Sequence, residues 1–321
     1  VTTDAKKKRT KRTGLAKREA RLAYVLLAPA VIVVFGLVIF PVLWNIALSL
    51  QRIQLIDLQN VNLFDIDVTT RNFERVTSDR DFVDVIITTL IYTIGGTVLS
   101  IGVGLWAAMA LRKAFRGRGL VRGMVLFPYV APVVALTVVW KLMLNPTFGF
   151  TNEVLSAIGF QRIDFLGRRD FVLTVLGFDI TVPLALSVVI LFEVWRYFPF
   201  AFLFILARIQ AMPFELEEAA MVDGATMWQR FRYVILPQLY GVLSVLVVLR
   251  FIWTFNKFDD IFLLTGGSGG TEVITVKIID WLRGRADVGS AAALGLILAA
   301  ILFVLLTIYF KWFFVEEEES T

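Results

Sequence analysis

The 321-residue chain contains no cysteine and no histidine. Without cysteine there are no disulfides, no thiolate chemistry and no thiolate zinc cage. Without histidine the commonest general base and metal ligand is missing. No lysine follows a glycine, so a GxxxxGK[ST] phosphate loop cannot occur, and the chain cannot bind and hydrolyse ATP by that route. Charge is also scarce, at 18% of residues, against about 25% in a soluble domain. What the chain has instead is apolar surface: 58% of residues are hydrophobic, and the mean hydropathy is +0.75. A soluble fold of this size could not hide so much of it, whereas lipid can take it up. The expected class is an all-α, multi-pass membrane protein.

A spanning helix needs roughly 20 mainly apolar residues. Six stretches qualify: 22–50, 83–111, 120–144, 183–207, 234–265 and 289–314. Pro29, Pro41, Pro128 and Pro132 fall inside them as tolerated kink sites. The stretch 171–180 is apolar but too short to span, and reads as an interfacial segment leading into span four.

Lysine and arginine set the orientation. Residues 1–21 hold nine of them and 112–122 hold five. With 207–233 and Lys311, one side carries eighteen, against ten in the longer loops 51–82, 145–181 and 266–288. Both termini and both short basic loops are therefore expected in the cytoplasm, and an even number of spans agrees. The tail 1–21 reads as a disordered anchor near anionic lipid rather than a nucleic-acid site. It is not a cleaved signal peptide, because span one is too long. The domain reading is a basic tail over 1–21, a membrane-spanning body over 22–314 and an acidic tail over 315–321.

Four cations fall within the spans: Lys141, Arg196, Arg250 and Lys257. Lys141 lies near a span end and can snorkel. A charge at the bilayer centre costs at least about 2.5–3.5 kcal/mol, so the others need a partner or a wet cavity. Glu193 and Arg196 are three apart and can pair, as can Lys257 and Asp260, with Asp259 alongside. Two readings stay open, internal neutralisation and a substrate pathway. The neighbours Trp195, Tyr197, Phe198 and Phe200, with Trp253, Thr254 and Phe255, favour the pathway, since aromatic faces and hydrogen-bonding groups suit sugars.

Gly102, Gly104 and Ala107 mimic a dinucleotide fingerprint, but they lie in an apolar helix with no preceding strand. They read as small residues that let helices approach closely. The Gly-rich loop 265–271 is expected outside, as a flexible connector or a docking loop for an external partner.

The stretch 212–237 is the most informative. Pro213 followed by Glu215, Glu217 and Glu218 is a helix start matched to the dipole. Gly224 permits a break, and a second short helix can run toward Pro237. Glu218-Ala219-Ala220, three residues, Gly224, nine residues, Val234, one residue and Leu236-Pro237 resemble the signature of ABC-importer permease subunits. The family usually has isoleucine at the position of Val234. Residues 253–258 and 263–267 look like the carbohydrate-uptake branch, close to the maltose-type first permease, in its six-span form without extra N-terminal spans or a large external domain.

The resemblance implies the type I importer architecture and a coupling segment over 213–237. Glu218 would contact a cytoplasmic ATPase, Ala219 and Ala220 would permit close seating, Gly224 would set the bend, and Asp223 and Pro237 complete the motif. It implies substrate contacts at Arg196, Tyr197, Phe200, Arg250, Trp253, Thr254 and Lys257, three of them cations unlike the maltose pattern. It also implies a second permease subunit, two ATPases carrying ATP and Mg, an external sugar-binding protein and a sugar, with no cofactor or metal in this chain. Two other classes compete. An ion-coupled secondary transporter would work as one polypeptide with inverted repeats, and none is visible. A membrane-embedded enzyme would need a catalytic constellation, and Glu193, Asp259 and Asp260 form no recognisable one.

Overall fold

The computed structural model describes residues 14–60, 68–175 and 178–318. Helix α1 runs over Gly14–Val34, a π-turn at Phe35–Ile39 and Phe40–Ser49. It is followed by α2 (Arg71–Thr77), α3 (Phe82–Leu111), α4 (Arg118–Val130), α5 (Val133–Met143) and α6 (Phe150–Ala157). Strands β1 (Asp170–Val175) and β2 (Phe178–Pro183) lead into α7 (Leu184–Gln210). Then come α8 (Phe214–Val222), α9 (Met227–Phe255), α10 (Asp259–Leu264), α11 (Ile274–Ile279) and α12 (Val288–Glu318). Among the described residues five helices are long and apolar enough to cross a membrane, or six if one bent pair counts as a single span.

Proline explains the irregular helices. Pro41 and Pro237 each lie just after a five-residue π-turn, Phe35–Ile39 and Phe231–Ile235. A proline lacks an N–H and crowds the carbonyl four residues back, and the wider turn makes room for it. The third span is not one helix. Ala131 precedes Pro132, which disfavours the helical region, and it is extended at φ −66°, ψ 145°. The chain bends by 93° there, so 120–144 becomes the broken pair α4–α5.

Several boundaries differ from the sequence reading. Residues 14–21 are helical, because Leu15, Ala16, Lys17, Arg18 and Ala20 are strong helix formers. Residues 1–13, and those from 319 onward, lie outside the described residues. Span five begins earlier, at Met227, and ends at Phe255 instead of 265. Its 29 residues already reach about 43 Å at 1.5 Å per residue. The second short helix toward Pro237 is thus the first part of α9. Of this stretch, residues 171–175 and 178–180 lie in the antiparallel pair β1–β2, with Phe171 opposite Val182. Alternating β-branched and large apolar residues favour that strand.

Helix α3 is the central post, packed along both α7 and α9. The contact is close because it is built on small residues. A Cβ added to Gly104 would lie 2.7 Å from Ala201 Cβ and 2.9 Å from the Phe202 amide nitrogen. Ala107 and Ala108 are buried beside it. Gly102, by contrast, faces open space and takes no part in the contact. Helix α12 packs against the C-terminal part of α1 and against α2. The rest of α1 is bare, with Leu26 and Leu37 more than two-thirds exposed, a surface suited to lipid.

The Gly-rich loop is seated rather than a free connector. Gly266, Gly267, Gly269 and Gly270 all have positive φ, a conformation that excludes most side chains. A Cβ on Gly269 would approach the Leu166 carbonyl to 2.9 Å. The hydroxyls of Thr265 and Thr271 lie 2.6 Å apart across the loop.

Replacing Gly104 by leucine should therefore force α3 and α7 apart. Overpacking of this kind costs about 1–3 kcal/mol. Thermal unfolding of the detergent-solubilised protein should fall clearly for Gly104→Leu and stay close to the parent for Gly102→Leu. Equal effects at the two positions would contradict this packing.

Candidate functional site

The centre of the bundle holds a buried ion pair. Glu193 on α7 has no exposed surface, and Arg250 on α9 is 1% exposed. Arg250 Nη2 donates to Glu193 Oε1 at 2.6 Å, and the Thr254 hydroxyl donates to the same oxygen at 3.1 Å. The Tyr92 hydroxyl donates to Glu193 Oε2 at 3.0 Å. Arg250 Nε lies 3.4 Å from Ser100 Oγ. Both carboxylate oxygens are thus satisfied, by donors from two other helices, α3 and α9. The pairing is across helices, not along one: Glu193 meets Arg250 and not Arg196. Arg196 instead approaches Asp260.

A second, looser cluster lies beside it. Lys257 Nζ is 3.5 Å and Arg196 Nη1 is 3.8 Å from Asp260, at opposite carboxylate oxygens. Neither oxygen of Asp260 has a hydrogen-bond partner, although the residue is buried. Asp259 is exposed. Tyr197 gathers the cations. Lys257 donates to its hydroxyl, and the Arg250 guanidinium lies 4.5 Å from its ring centroid. Cation–ring attraction of this kind strengthens when water is excluded.

From Tyr197 an aromatic wall runs along the same face. Tyr129 stands 6.0 Å from Tyr197 and 5.9 Å from Phe200, and the Phe200 ring lies tilted 5.1 Å from Trp253 and 4.8 Å from Phe204. Trp253 is 46% exposed, and the Arg196 and Lys257 side chains retain 12% and 18%. The structure thus brings Arg196, Tyr197, Phe200, Trp253 and Lys257 to one partly open face. Arg250 and Thr254 lie behind it, holding Glu193. Trp195 turns away to Trp140 and Phe192.

The segment 213–237 is built as two helices around a tight turn. Gly224 has φ +76° with nothing near its missing Cβ, so the backbone conformation and not space requires glycine. The Asp223 amide donates to Ala219, and Ala225 to Ala220. Thr226 and Gln229 then form a reciprocal capping box that starts α9. Glu218, Ala219 and Asp223 are exposed, and Ala220 is half-buried. Val222, Met227 and Trp228 project beside them, each more than two-thirds exposed. Pro237 lies further along α9, after the π-turn.

Some residues were not visible to sequence reasoning. Tyr129 lies between Pro128 and Pro132, a signal of an aromatic held at a helix break. Tyr92 and Ser100 give no signal in an apolar span. Glu217 looked like one acid among several at a helix start. It accepts a bidentate pair from Arg112, at 2.7 and 2.6 Å, and lies 3.9 Å from Arg230. The Arg112 hydrogen bonds hold its carboxyl below the usual glutamate range, against the effect of partial burial. Among the described residues no group of three or more His, Cys, Asp or Glu could hold a metal ion.

Comparison with known proteins gives this geometry a family. Over 288 residues the chain is 36% identical to the inner membrane ABC transporter permease protein YcjO of Escherichia coli K12, covering 88% of this chain and 91% of the relative. It is 31% identical to the trehalose/maltose transport system permease protein MalF of Thermococcus litoralis, covering 92% and 95%. A chain in the crystal structure of a bacterial alginate ABC transporter, in complex with an alginate pentasaccharide-bound periplasmic protein, shares the fold. The TM-score is 0.74 at 23% identity, over 93% of this chain and 96% of that one. An ion-coupled secondary transporter is not what these relatives are. Residues 100–313 match the family described as binding-protein-dependent transport system inner membrane component, and the chain belongs to that family.

Proposed function

We propose that this chain is one permease subunit of an ATP-driven carbohydrate importer. It forms half of the translocation pathway, and ATP and Mg are bound by two partner ATPases rather than by this chain. A second permease supplies the other half, and an extracytoplasmic binding protein delivers the sugar. Both chain termini face the cytoplasm in this reading. The sugar class is supported by the trehalose/maltose permease among the relatives.

The observation that carries the reading is the partly open face of Tyr197, Phe200, Trp253, Arg196 and Lys257 in the middle of the bundle. Bare cations against lipid are costly, so such a face needs a wet pathway or a partner subunit. Aromatic rings cover the apolar faces of a sugar, and the cations and the tyrosine hydroxyl serve its hydroxyl rim. In this reading Arg250 and Thr254 act from behind, by fixing Glu193 and the ring of Tyr197. On the cytoplasmic side Glu218 and Ala219 meet the ATPase, with Ala220, Asp223, Gly224 and Pro237 shaping the segment.

Tagged chain purified in mild detergent from its native host should retain a second permease and an ATPase, identified by mass spectrometry. Glu218→Lys should lose the ATPase while the chain stays inserted. Full retention of the ATPase by that variant would remove Glu218 from the contact.

The two clusters should separate in their effects. Trp253→Ala should lower uptake at least tenfold across labelled trehalose, maltose and alginate oligosaccharides, whichever is the substrate, with membrane insertion unchanged. Glu193→Leu leaves Arg250 buried and alone, a loss of about 3–5 kcal/mol for a broken buried pair. It should reduce the folded yield and the unfolding temperature together with uptake. A Trp253→Ala protein that loses folded yield in step with uptake would instead make the aromatic wall a packing element.

A further inference from the structure

Helix α3 connects the two ends of the molecule. At one end it stops at Leu111, where Arg122 Nη2 donates to the Leu111 carbonyl at 2.6 Å, a cation placed to match the helix C-terminus. The next residue, Arg112, grips Glu217 of α8 with both guanidinium nitrogens at 2.6 and 2.7 Å. The pair is largely buried, with 15% and 19% of the two side chains exposed. Arg230, at the start of α9, approaches the same carboxylate to 3.9 Å.

Along its middle, between Tyr92 and Ser100, α3 meets the buried cluster. Tyr92 binds Glu193, and Ser100 lies against Arg250. A Cβ on Gly96 would stand 3.0 Å from Glu193 Cγ and 3.2 Å from Thr254 Cγ2. Tyr92 and Arg112 are twenty residues apart, about 30 Å along one helix at 1.5 Å per residue. Between them Gly104 seats α3 against the α7 backbone.

We propose that Glu217 is a positioning residue that makes α3 a connecting rod: through Arg112 it carries displacement of α8 to the Glu193–Arg250 cluster behind the aromatic wall. A bidentate guanidinium–carboxylate pair is suited to this, because its two parallel hydrogen bonds fix direction as well as distance. A contact through Ala219 and Ala220 alone would let α8 slide. The inference rests on the reading of 213–237 as the segment that meets the ATPase.

The test needs no knowledge of the sugar, because the chain has no cysteine of its own. A single reporter, Phe204→Cys, is placed beside Phe200 in the complex with the second permease and the ATPase. Its labelling by a water-soluble maleimide is followed with and without ATP and vanadate. The parent should change labelling rate several-fold on nucleotide trapping. Glu217→Gln should keep the ATPase bound and hydrolysing ATP, yet lose at least four-fifths of that labelling response. The charge swap Arg112→Glu/Glu217→Arg should restore half of it or more.

Arg112→Lys keeps the charge and loses the fork, so it should give an intermediate response, and it serves if Glu217→Gln does not assemble. A full labelling response in Glu217→Gln or in Arg112→Lys would overturn the proposal, as would failure of the swap to restore it. A parent complex that retains no ATPase would instead remove the coupling reading itself, and the rod with it.

Discussion

A carboxylate with no exposed surface in the middle of a membrane bundle has to be answered by the protein, because lipid offers nothing to it. Glu193 is answered by Arg250, Thr254 and Tyr92, which come from the two helices flanking α7 in the core. The charge therefore fixes the register of α3, α7 and α9 together. Small residues let the same three helices come near enough for those bonds to form. Packing and charge are mutually dependent here: Gly96 lies against Glu193 itself, and a side chain at that point would separate the groups that neutralise it.

Division of labour among the cations follows from that core. Arg250 is used up in holding Glu193, and what it offers beyond the pair is a face toward the ring of Tyr197. Arg196 and Lys257 share one carboxylate at 3.5–3.8 Å without forming a hydrogen bond to it. The first cluster has the character of a fastening and the second of a surface with unused polar capacity. That contrast, more than the number of cations, separates structure from pathway in this reading.

The segment 213–237 shows how a motif can be partly conformational. Gly224 is needed for its left-handed backbone, Thr226 for a cap and Pro237 for a π-turn that lets α9 continue toward the membrane. The positions Glu218 and Ala219 are exposed, with no comparable task among the described residues. Their placement beside exposed Val222, Met227 and Trp228 supports contact with another molecule.

The sequence by itself determined the class, the approximate number of spans and the family motif over Glu218–Pro237. Hydropathy is a sum over neighbours in the chain, and the Glu218–Pro237 spacing is local, so both can be read along a line. Resemblance to the family marked Arg196, Tyr197, Phe200, Arg250, Trp253, Thr254 and Lys257 on spans four and five, and of these Arg250 and Thr254 lie behind the open face. Tertiary structure decided which charges meet. Glu193 and Arg196 are three residues apart yet do not pair, whereas Glu193 and Arg250 do. Glu217–Arg112, Tyr92–Glu193 and the burial of Gly104 but not Gly102 likewise depend on how whole helices rotate against one another. That rotation is set by the packing of three helices at once, and no single stretch of sequence contains it.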